Sequence, residues 1–208
     1  MRWNLVTTPT PFRSVTRIVQ PMVEPVSLGE IKAHLRIEPD VADDDEFLMG
    51  ALAAARIVVE ERLGMTLTAT RWRAKLGEWS SCGCHGMELP YPPLLVEPNR
   101  FPLSVTWKDS AGVTHVVDPD NLACDAEEIP GRLLIRETIY GACCERNATV
   151  KWWAGVVNPS DVPANIRAAI KRIAGQLYTN RGDTAEAVMA RDEGVDSLLA
   201  ASSINGRF

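Results

Sequence analysis

Two stretches of apolar residues at helical spacing, lying far apart in the chain, constrain the fold more than any other feature of the sequence. They contain Leu48, Leu52, Ala55, Val59 and Leu63 in the first stretch, and Val162, Ile166, Ile170, Ile173 and Leu177 in the second. Steps of three and four residues place each set on one side of a helix. Because a long amphipathic helix needs an apolar partner in water, we expect the two helices to pack against each other in antiparallel orientation.

The residues between these helices follow a different period. In "TLTATRWRAKL", Thr70, Trp72 and Ala74 alternate with Arg71 and Arg73, which is typical of a strand with one solvated face. Similar pieces, "LSVTWKD", "VTHVVD", "GRLLIRE" and "ATVKWWAG", are separated by turn residues at intervals of about ten residues. The sequence therefore predicts an α+β fold in which an antiparallel β-module, residues 66–157, is inserted into a helical-bundle frame, residues 25–65 and 158–182.

Two local features refine the frame. Ser27 followed three residues later by Glu30 is a capping-box pattern, which predicts a short helix before the first long one. Within the first long helix, the tract Ala51, Ala53, Ala54 and Ala55 leaves one flank with little side-chain bulk. We expect another backbone to be able to approach closely there.

The two ends of the chain lack a clear apolar period. Residues 1–24 contain Arg2, Arg13 and Arg17 with no acidic residue before Glu24, so we expect an extended N-terminal arm. Two interpretations of this arm remain open, a solvated tail and a segment ordered by a neighbouring chain. For the C-terminal tail, residues 183–208, we expect a mobile connection over 183–194 and a short helix over "GVDSLLAAS".

Composition limits the classes of function. With 46% hydrophobic and 24% charged residues over 208 positions, the chain has the composition of a soluble globular protein. A formal net charge of -5 disfavours a protein that grips nucleic acid, because such binding needs clustered Lys and Arg. A weakly acidic wall could still line a passage along which DNA slides.

Sequence motifs give little indication of chemistry. The three histidines, His34, His85 and His115, have no catalytic spacing, and no nucleotide-binding or hydrolase motif is present. An enzyme is therefore not indicated, although a non-local triad built on His85 or His115 is an alternative. Cys82, Cys84 and His85 could ligate zinc, but C-x-C-H is not a usual zinc spacing, and we expect free thiols and no cofactor.

Tryptophans in the β-module suggest a second class of function. Trp72, Trp107 and Trp152 are in phase with apolar neighbours, which predicts that they fill the core, whereas Trp153 is in phase with Thr149 and Lys151. An exposed interface is the expected use of Trp153. If these rings were instead accessible, the chain could be a small nucleic-acid or carbohydrate binding module.

The order of these parts resembles a known family. The start "PVSLGEIKAHLRI", the helix "DDEFLMGALAAARIVVEERLGMTL", the insertion opening with "TATRWRAKL", the segment "LPYPPL", the strand "VKWWAGV" and the helix "VPANIRAAIKRIAGQLYTNRGD" follow one another. Together they are similar to the head-to-tail connector (adaptor) proteins of long-tailed bacteriophages and gene-transfer particles. The resemblance spans about residues 25–183. The N-terminal arm and the Cys82/Cys84 hairpin lie outside what it covers.

The resemblance implies a structural protein of the virion neck, assembled in the host cytoplasm. Its expected partners are further copies of itself in a ring, with a dodecamer as the expected size, the portal protein above and a neck or tail-completion protein below. DNA would pass through the lumen without sequence-specific binding. We expect portal anchors at Val195, Leu198, Leu199, Ile204 and Phe208, and contacts to other subunits or the tail at Arg2, Trp3, Arg13, Arg17 and Trp153.

Overall fold

The structure is a computed structural model that describes residues 12–76, 87–109, 111–127, 129–135, 148–182, 184–200 and 202. Within these ranges the helices are α1 (Leu28–Leu35), α2 (Asp45–Leu63), α3 (Ala164–Thr179), α4 (Ala185–Arg191) and α5 (Glu193–Ala200). The strands are β1 (Phe12–Val19), β2 (Thr70–Leu76), β3 (Met87–Glu88), β4 (Leu94–Leu95), β5 (Ser104–Lys108), β6 (Thr114–Val116), β7 (Leu122–Asp125), β8 (Arg132–Ile135) and β9 (Thr149–Ala154). No helix in the described ranges combines the length and the apolar character that crossing a bilayer requires.

The two long helices pack on each other as predicted. All ten residues of the two stripes are buried in one apolar core, which also receives residues from α1, α4 and α5. The helices are antiparallel, because Asp44 at the start of α2 accepts hydrogen bonds from Tyr178 and Arg181 at the end of α3, at 2.7 Å in both cases. The capping box is confirmed as well, since Ser27 and Glu30 make both reciprocal bonds at the start of α1.

The β-module is antiparallel and has its own core. Its main sheet has the order β1-β2-β9-β5-β6, with β4 also paired to β9, and a second sheet has the order β3-β8-β7. Trp72 and Trp152 are paired across β2 and β9 and lie in this second core. The predicted fold class, a helical frame carrying an antiparallel β-module, is confirmed.

The chain leaves the frame and returns to it at one place. Thr68, before β2, forms a bridge with Val156, after β9, and Val156 donates its backbone N–H to Leu67 at 3.1 Å. Gly155 has a φ of 98°, and a Cβ on it would lie 2.5 Å from the carbonyl carbon and oxygen of Thr68. The two crossing segments therefore lie backbone against backbone, as an insertion between neighbouring helices requires.

Residues 12–19 of the N-terminal arm are extended, as expected, but both interpretations of the arm are wrong for them. They form β1, which pairs with β2 of the same chain and is neither a solvated tail nor a segment that needs a neighbour. The physical reason is that Arg17 has partners within the chain: its guanidinium lies 4.8 Å from the ring centre of Trp72 and its Nη2 lies 2.7 Å from Glu60. Arg2 and Trp3 lie outside the described residues.

The expectation of a mobile connection over 183–194 is also wrong for residues 185–194. Residues 185–191 form α4, and Val188 is fully buried in the helical core. The turn into α5 is fixed by Asp192, which accepts hydrogen bonds from Arg172 and Gln176 of α3 and from the backbone N–H of Gly194. Tertiary contacts thus order a segment whose own sequence has a weak helical period.

Candidate assembly surface

Helix α2 lacks a polar face along most of its length. Between Glu46 and Glu60 the sequence contains one charged residue, Arg56, and its side chain is buried. A surface helix of a globular protein normally carries polar residues opposite its apolar stripe, whereas a helix that is apolar all round is buried on all sides. The sequence of α2 is therefore that of a helix whose outer side is also covered.

The outer side of α2 is nevertheless solvent-facing in the single chain. We call Met49, Gly50, Ala53 and Ile57 the α2 outer stripe, because they lie on the side of the helix opposite the stripe that packs on α3. Met49 is 56% exposed and Ile57 is 38% exposed, and no atom lies within 4 Å of the position a Cβ on Gly50 would take. Exposed carboxylates stand at both ends of the stripe, Glu46 at the N-terminal end and Glu61 at the C-terminal end.

A segment from the N-terminus lies beside this helix and extends the apolar surface. Arg17 bonds to Glu60, and Arg56 bonds to Glu24 at 2.8 Å, so residues 17–24 run along one flank of α2. In that segment Met22 is 95% exposed and Val23 is 56% exposed. Methionine is common at surfaces that bind other proteins because its side chain adapts to irregular partners.

A buried ionic cluster holds the segment in place. Glu60 is 2% exposed and accepts hydrogen bonds from Arg17 and Arg56, each at 2.7 Å, and from the backbone N–H of Leu67 at 2.9 Å. A buried carboxylate with this many donors keeps its neighbours in a fixed geometry, because losing any of them leaves a charge without compensation. The N-terminal strand, α2 and the start of the β-module are thereby locked together.

Part of this surface is visible in the sequence of α2. The alanine tract indicated a flank of α2 open to close approach, and Ala53 does lie on the outer stripe, whereas Ala51 and Ala55 are buried in the helical core. The Arg56–Glu60 spacing of four residues was a readable signal for an ion pair along one helix. The contribution of Arg17 gave no such signal, because its partner lies 43 residues away.

The tryptophans of the β-module are mostly covered. Trp72 is 6% exposed and Trp152 is 1% exposed. The ring of Tyr91 stacks on Trp72, with 4.1 Å between the ring centres. Trp107 is half-buried and stacks on His115 at 4.4 Å. A binding module would need accessible ring faces, so these three positions do not favour one.

Trp153 lies on the opposite face of the sheet from Trp152. It is half-buried, because Phe101 packs against its ring at 5.4 Å and the guanidinium of Arg71 lies 5.8 Å from its ring centre. Its use as an interface residue stays a prediction. Arg13 is exposed on β1 and remains available for a contact, whereas Arg17 is engaged by Glu60.

The predicted portal anchors fall into two groups. Val195 and Leu199 are 0% and 3% exposed and Leu198 is half-buried, so these residues of α5 stabilise the chain's own helical core. Their contact with the portal stays a prediction, and in the folded subunit Val195 and Leu199 are not exposed for it. Ile204 and Phe208 lie outside the described residues, as do Cys82, Cys84 and His85 of the possible zinc site.

The histidines in the described part are structural or solvent-exposed. His34 is exposed on α1, and His115 bonds through Nε2 to Oδ2 of Asp109 at 2.8 Å across the β5–β6 hairpin. This bond lowers the pKa of Asp109, which also accepts the backbone N–H of Val113. Within the described ranges no cluster of three or more His, Cys, Asp or Glu side chains could hold a metal ion.

Comparison with solved structures identifies the fold. The chain is similar to a chain in the neck of an empty GTA particle computed with C6 symmetry, with a TM-score of 0.63 and 18% identity over 86% of this chain and 94% of that one. It is also similar to a chain in the virion of a native gene transfer agent (GTA) particle, with a TM-score of 0.65 and 21% identity over 85% of this chain and 93% of that one. A third similar chain lies in the neck of a native GTA particle computed with C12 symmetry, with a TM-score of 0.63 and 21% identity over 89% of this chain and 94% of that one. No protein-family model matches the chain, and no curated protein matches its sequence. At these identities the likeness establishes a shared fold.

Proposed function

We propose that this chain is a structural protein of a virion neck, a head-to-tail adaptor that assembles into a ring beneath the portal. The observation that carries the proposal is the shared fold, which covers nearly all of the chain and of its structural neighbours, in particles whose necks were computed with sixfold and twelvefold symmetry. The outer side of α2 supports it independently, since that helix has the sequence of one buried on all sides.

In this proposal the ring extends the DNA channel and offers a docking surface to the next neck or tail component. The net charge of -5 suits a channel wall, because acidic side chains repel the phosphate backbone and let DNA slide without sequence-specific contacts. We propose twelve subunits as the ring size, the virion neck as the location and the host cytoplasm as the place of assembly.

The position of α5 narrows the proposed portal contact. Because Val195 and Leu199 are buried in the helical core, we propose that the portal anchor lies beyond α5, where the sequence contains Ile204 and Phe208. Removing residues 195–208 would also remove part of that core, so loss of portal binding in that variant would not be informative. Removing residues 203–208 tests the anchor without touching the described core.

The test is mass photometry of the purified chain with and without the portal protein of the same particle. We expect the chain alone to give monomers or small oligomers, the mixture to give a complex heavier than portal by a complete ring, and the chain lacking 203–208 to stay folded without forming that complex. A mixture in which the full chain leaves the portal mass unchanged would contradict the proposed function. Unchanged complex formation by the shortened chain would contradict the anchor alone.

A further inference from the structure

The α2–α3 pair presents two different surfaces in opposite directions. The α2 outer stripe points away from α3, and the side of α3 that points away from α2 carries Ala164 and Ala168. Helix α1 lies against this side of α3, since a Cβ on Gly175 would meet Leu35 at 3.3 Å. We call Ala164, Ala168, Lys171 and Arg172 of α3, with Arg36 at the end of α1, the α3 outer surface.

The charges of the two surfaces are complementary. Glu46 and Glu61, at the ends of the α2 outer stripe, have no cation within 4 Å in the described part of the chain, and Lys171 and Arg36 on the α3 outer surface have no carboxylate within 4 Å there. Arg172 pairs with Asp192 yet its side chain is still 50% exposed. One surface therefore has an apolar centre with unpaired carboxylates at its ends. The other has small apolar residues and three cations, of which Arg36 is unpaired, Lys171 also attracts the carboxylate of Glu30, and Arg172 pairs with Asp192.

We propose that the α2 outer stripe of one subunit packs on the α3 outer surface of the next subunit, and that this contact, repeated head to tail, closes the ring. The inference rests on the proposed function, which it deepens by naming the two contacting faces. Two different faces on opposite sides of one subunit are what a heterologous contact needs, and such contacts form rings when the rotation per subunit closes.

Shape favours the same pairing. Gly50 and Ala53 on one surface, and Ala164 and Ala168 on the other, carry little bulk between the two helices. Helices with small residues at the contact can pack at the short end of the usual distance of about 8–10 Å between axes. Met49 and Ile57 then supply the apolar area that leaves water on assembly.

A symmetric contact between two copies of the α2 outer stripe is disfavoured. With the helices antiparallel, Glu46 of each copy would approach Glu61 of the other, and with the helices parallel each carboxylate would approach its own counterpart. Like charges placed against each other across an interface disfavour a pairing strongly. The stripe consequently fits the cationic α3 outer surface better than it fits itself.

The test uses one substitution on each face and a mixture of the two variants. Ile57→Lys places a cation in the centre of the stripe, opposite the cationic surface, and can pair locally with Glu61 four residues on. Ala168→Lys places charge and bulk at the centre of the α3 outer surface. Val116→Lys is the matched control, since Val116 is 68% exposed on β6, outside the helical frame.

Mass photometry with portal is the readout, and thermal unfolding checks that each variant is folded. We expect Val116→Lys to form rings like the wild type, and each of the other two variants alone to form about tenfold fewer complete rings or less. An equal mixture of Ile57→Lys and Ala168→Lys, measured by sedimentation equilibrium without portal at a concentration at which the wild type forms oligomers, should give a capped heterodimer, because one variant keeps an intact stripe and the other an intact α3 outer surface.

The outcomes separate this inference from the proposed function. If the wild type forms no ring with portal, the proposed function is wrong. If the wild type forms rings and either Ile57→Lys or Ala168→Lys forms them equally well, the ring stands and the pairing of these two faces is wrong. A mixture that yields no heterodimer, while each folded variant alone fails to form rings, would also overturn the head-to-tail pairing.

Discussion

Replacing Glu60 by Gln should destabilise the protein far more than its position near the end of a helix suggests. The side chain is 2% exposed, and its carboxylate compensates both Arg17 and Arg56 at 2.7 Å while also accepting the backbone N–H of Leu67. Removing the charge of one member of a buried ion pair costs about 3–5 kcal/mol, because the remaining charges stay buried without full compensation. That is a large share of the roughly 5–15 kcal/mol by which a domain is usually stable.

The assay is equilibrium unfolding in urea, followed by tryptophan fluorescence. Glu61→Gln is the matched control, since the same substitution one residue later falls on an exposed side chain with no ion pair in the described residues, and we expect a change within about 0.5 kcal/mol. If Glu60→Gln and Glu61→Gln lower the free energy of unfolding equally, the buried cluster does not hold the N-terminal segment against α2.

A double-mutant cycle separates the contribution of the N-terminal strand. Arg17→Met removes the guanidinium that joins β1 to Glu60 and keeps much of the side-chain volume. Because Arg17 and Glu60 form an ion pair, we expect the effects of the two substitutions on the free energy of unfolding to be non-additive by about 1 kcal/mol or more. Strict additivity would mean that β1 is held by its pairing with β2 and not by the cluster.

Two further substitutions test the junction and the C-terminal helices. Gly155→Ala should cost about 2 kcal/mol or more in urea unfolding, because its φ is 98° and its Cβ would meet the Thr68 backbone, whereas Gly29→Ala in α1, which has open space, should be neutral or stabilising. The pKa of Asp192 is lowered from the ordinary value of an aspartate, chiefly by the hydrogen bond from Arg172. The stabilising effect is therefore present above the pKa of the unfolded chain, about 4, and is lost as the pH falls through the lowered pKa. We expect Asp192→Asn to lower the free energy of unfolding at pH 7 by about 1 kcal/mol, a modest loss because the side chain of Arg172 is 50% exposed. The variant should also lose less stability than the wild type as the pH is lowered. An unchanged dependence of the unfolding free energy on acid pH would contradict this role of Asp192.

The sequence predicts those parts of the fold in which apolar residues repeat at a single clear spacing, helical or alternating. Leu48 to Leu63 and Val162 to Leu177 each repeat at helical spacing, and burial of the two stripes on each other follows because each lacks another apolar partner of that length. Alternation in β2 and β9 likewise placed Trp72 and Trp152 in the core and Trp153 on the other face.

The parts that escaped prediction depend on contacts between distant residues. Arg17 was expected on a solvated tail or at a contact with another subunit or the tail, because a single sequence does not reveal that a carboxylate 43 residues away is buried beside it. Segment 183–194 has few apolar residues, and its helices are held by Val188 in the core and by Asp192 bonding to α3. Tertiary contacts of this kind override weak local preferences.

The candidate surface was predicted in outline and not in detail. The alanine tract of α2 indicated that another backbone could approach closely, and Ala53 of that tract lies on the outer stripe, whereas Ala51 and Ala55 are buried in the helical core of the chain itself. Met22 and Val23 belong to the surface because the ion pairs of Arg17 and Glu24 place residues 17–24 beside α2. The two residues themselves give no sign in the sequence that they adjoin a helix.

A cryo-EM reconstruction of the neck of the assembled particle tests the proposed ring most directly. We expect density for this chain to form a closed ring around the DNA channel beneath the portal, with Met49 and Ile57 of each subunit covered by the α1 and α3 helices of its neighbour. A neck in which the chain is absent from the ring would contradict the proposed function. A ring in which Met49 and Ile57 still face solvent would contradict the assembly surface.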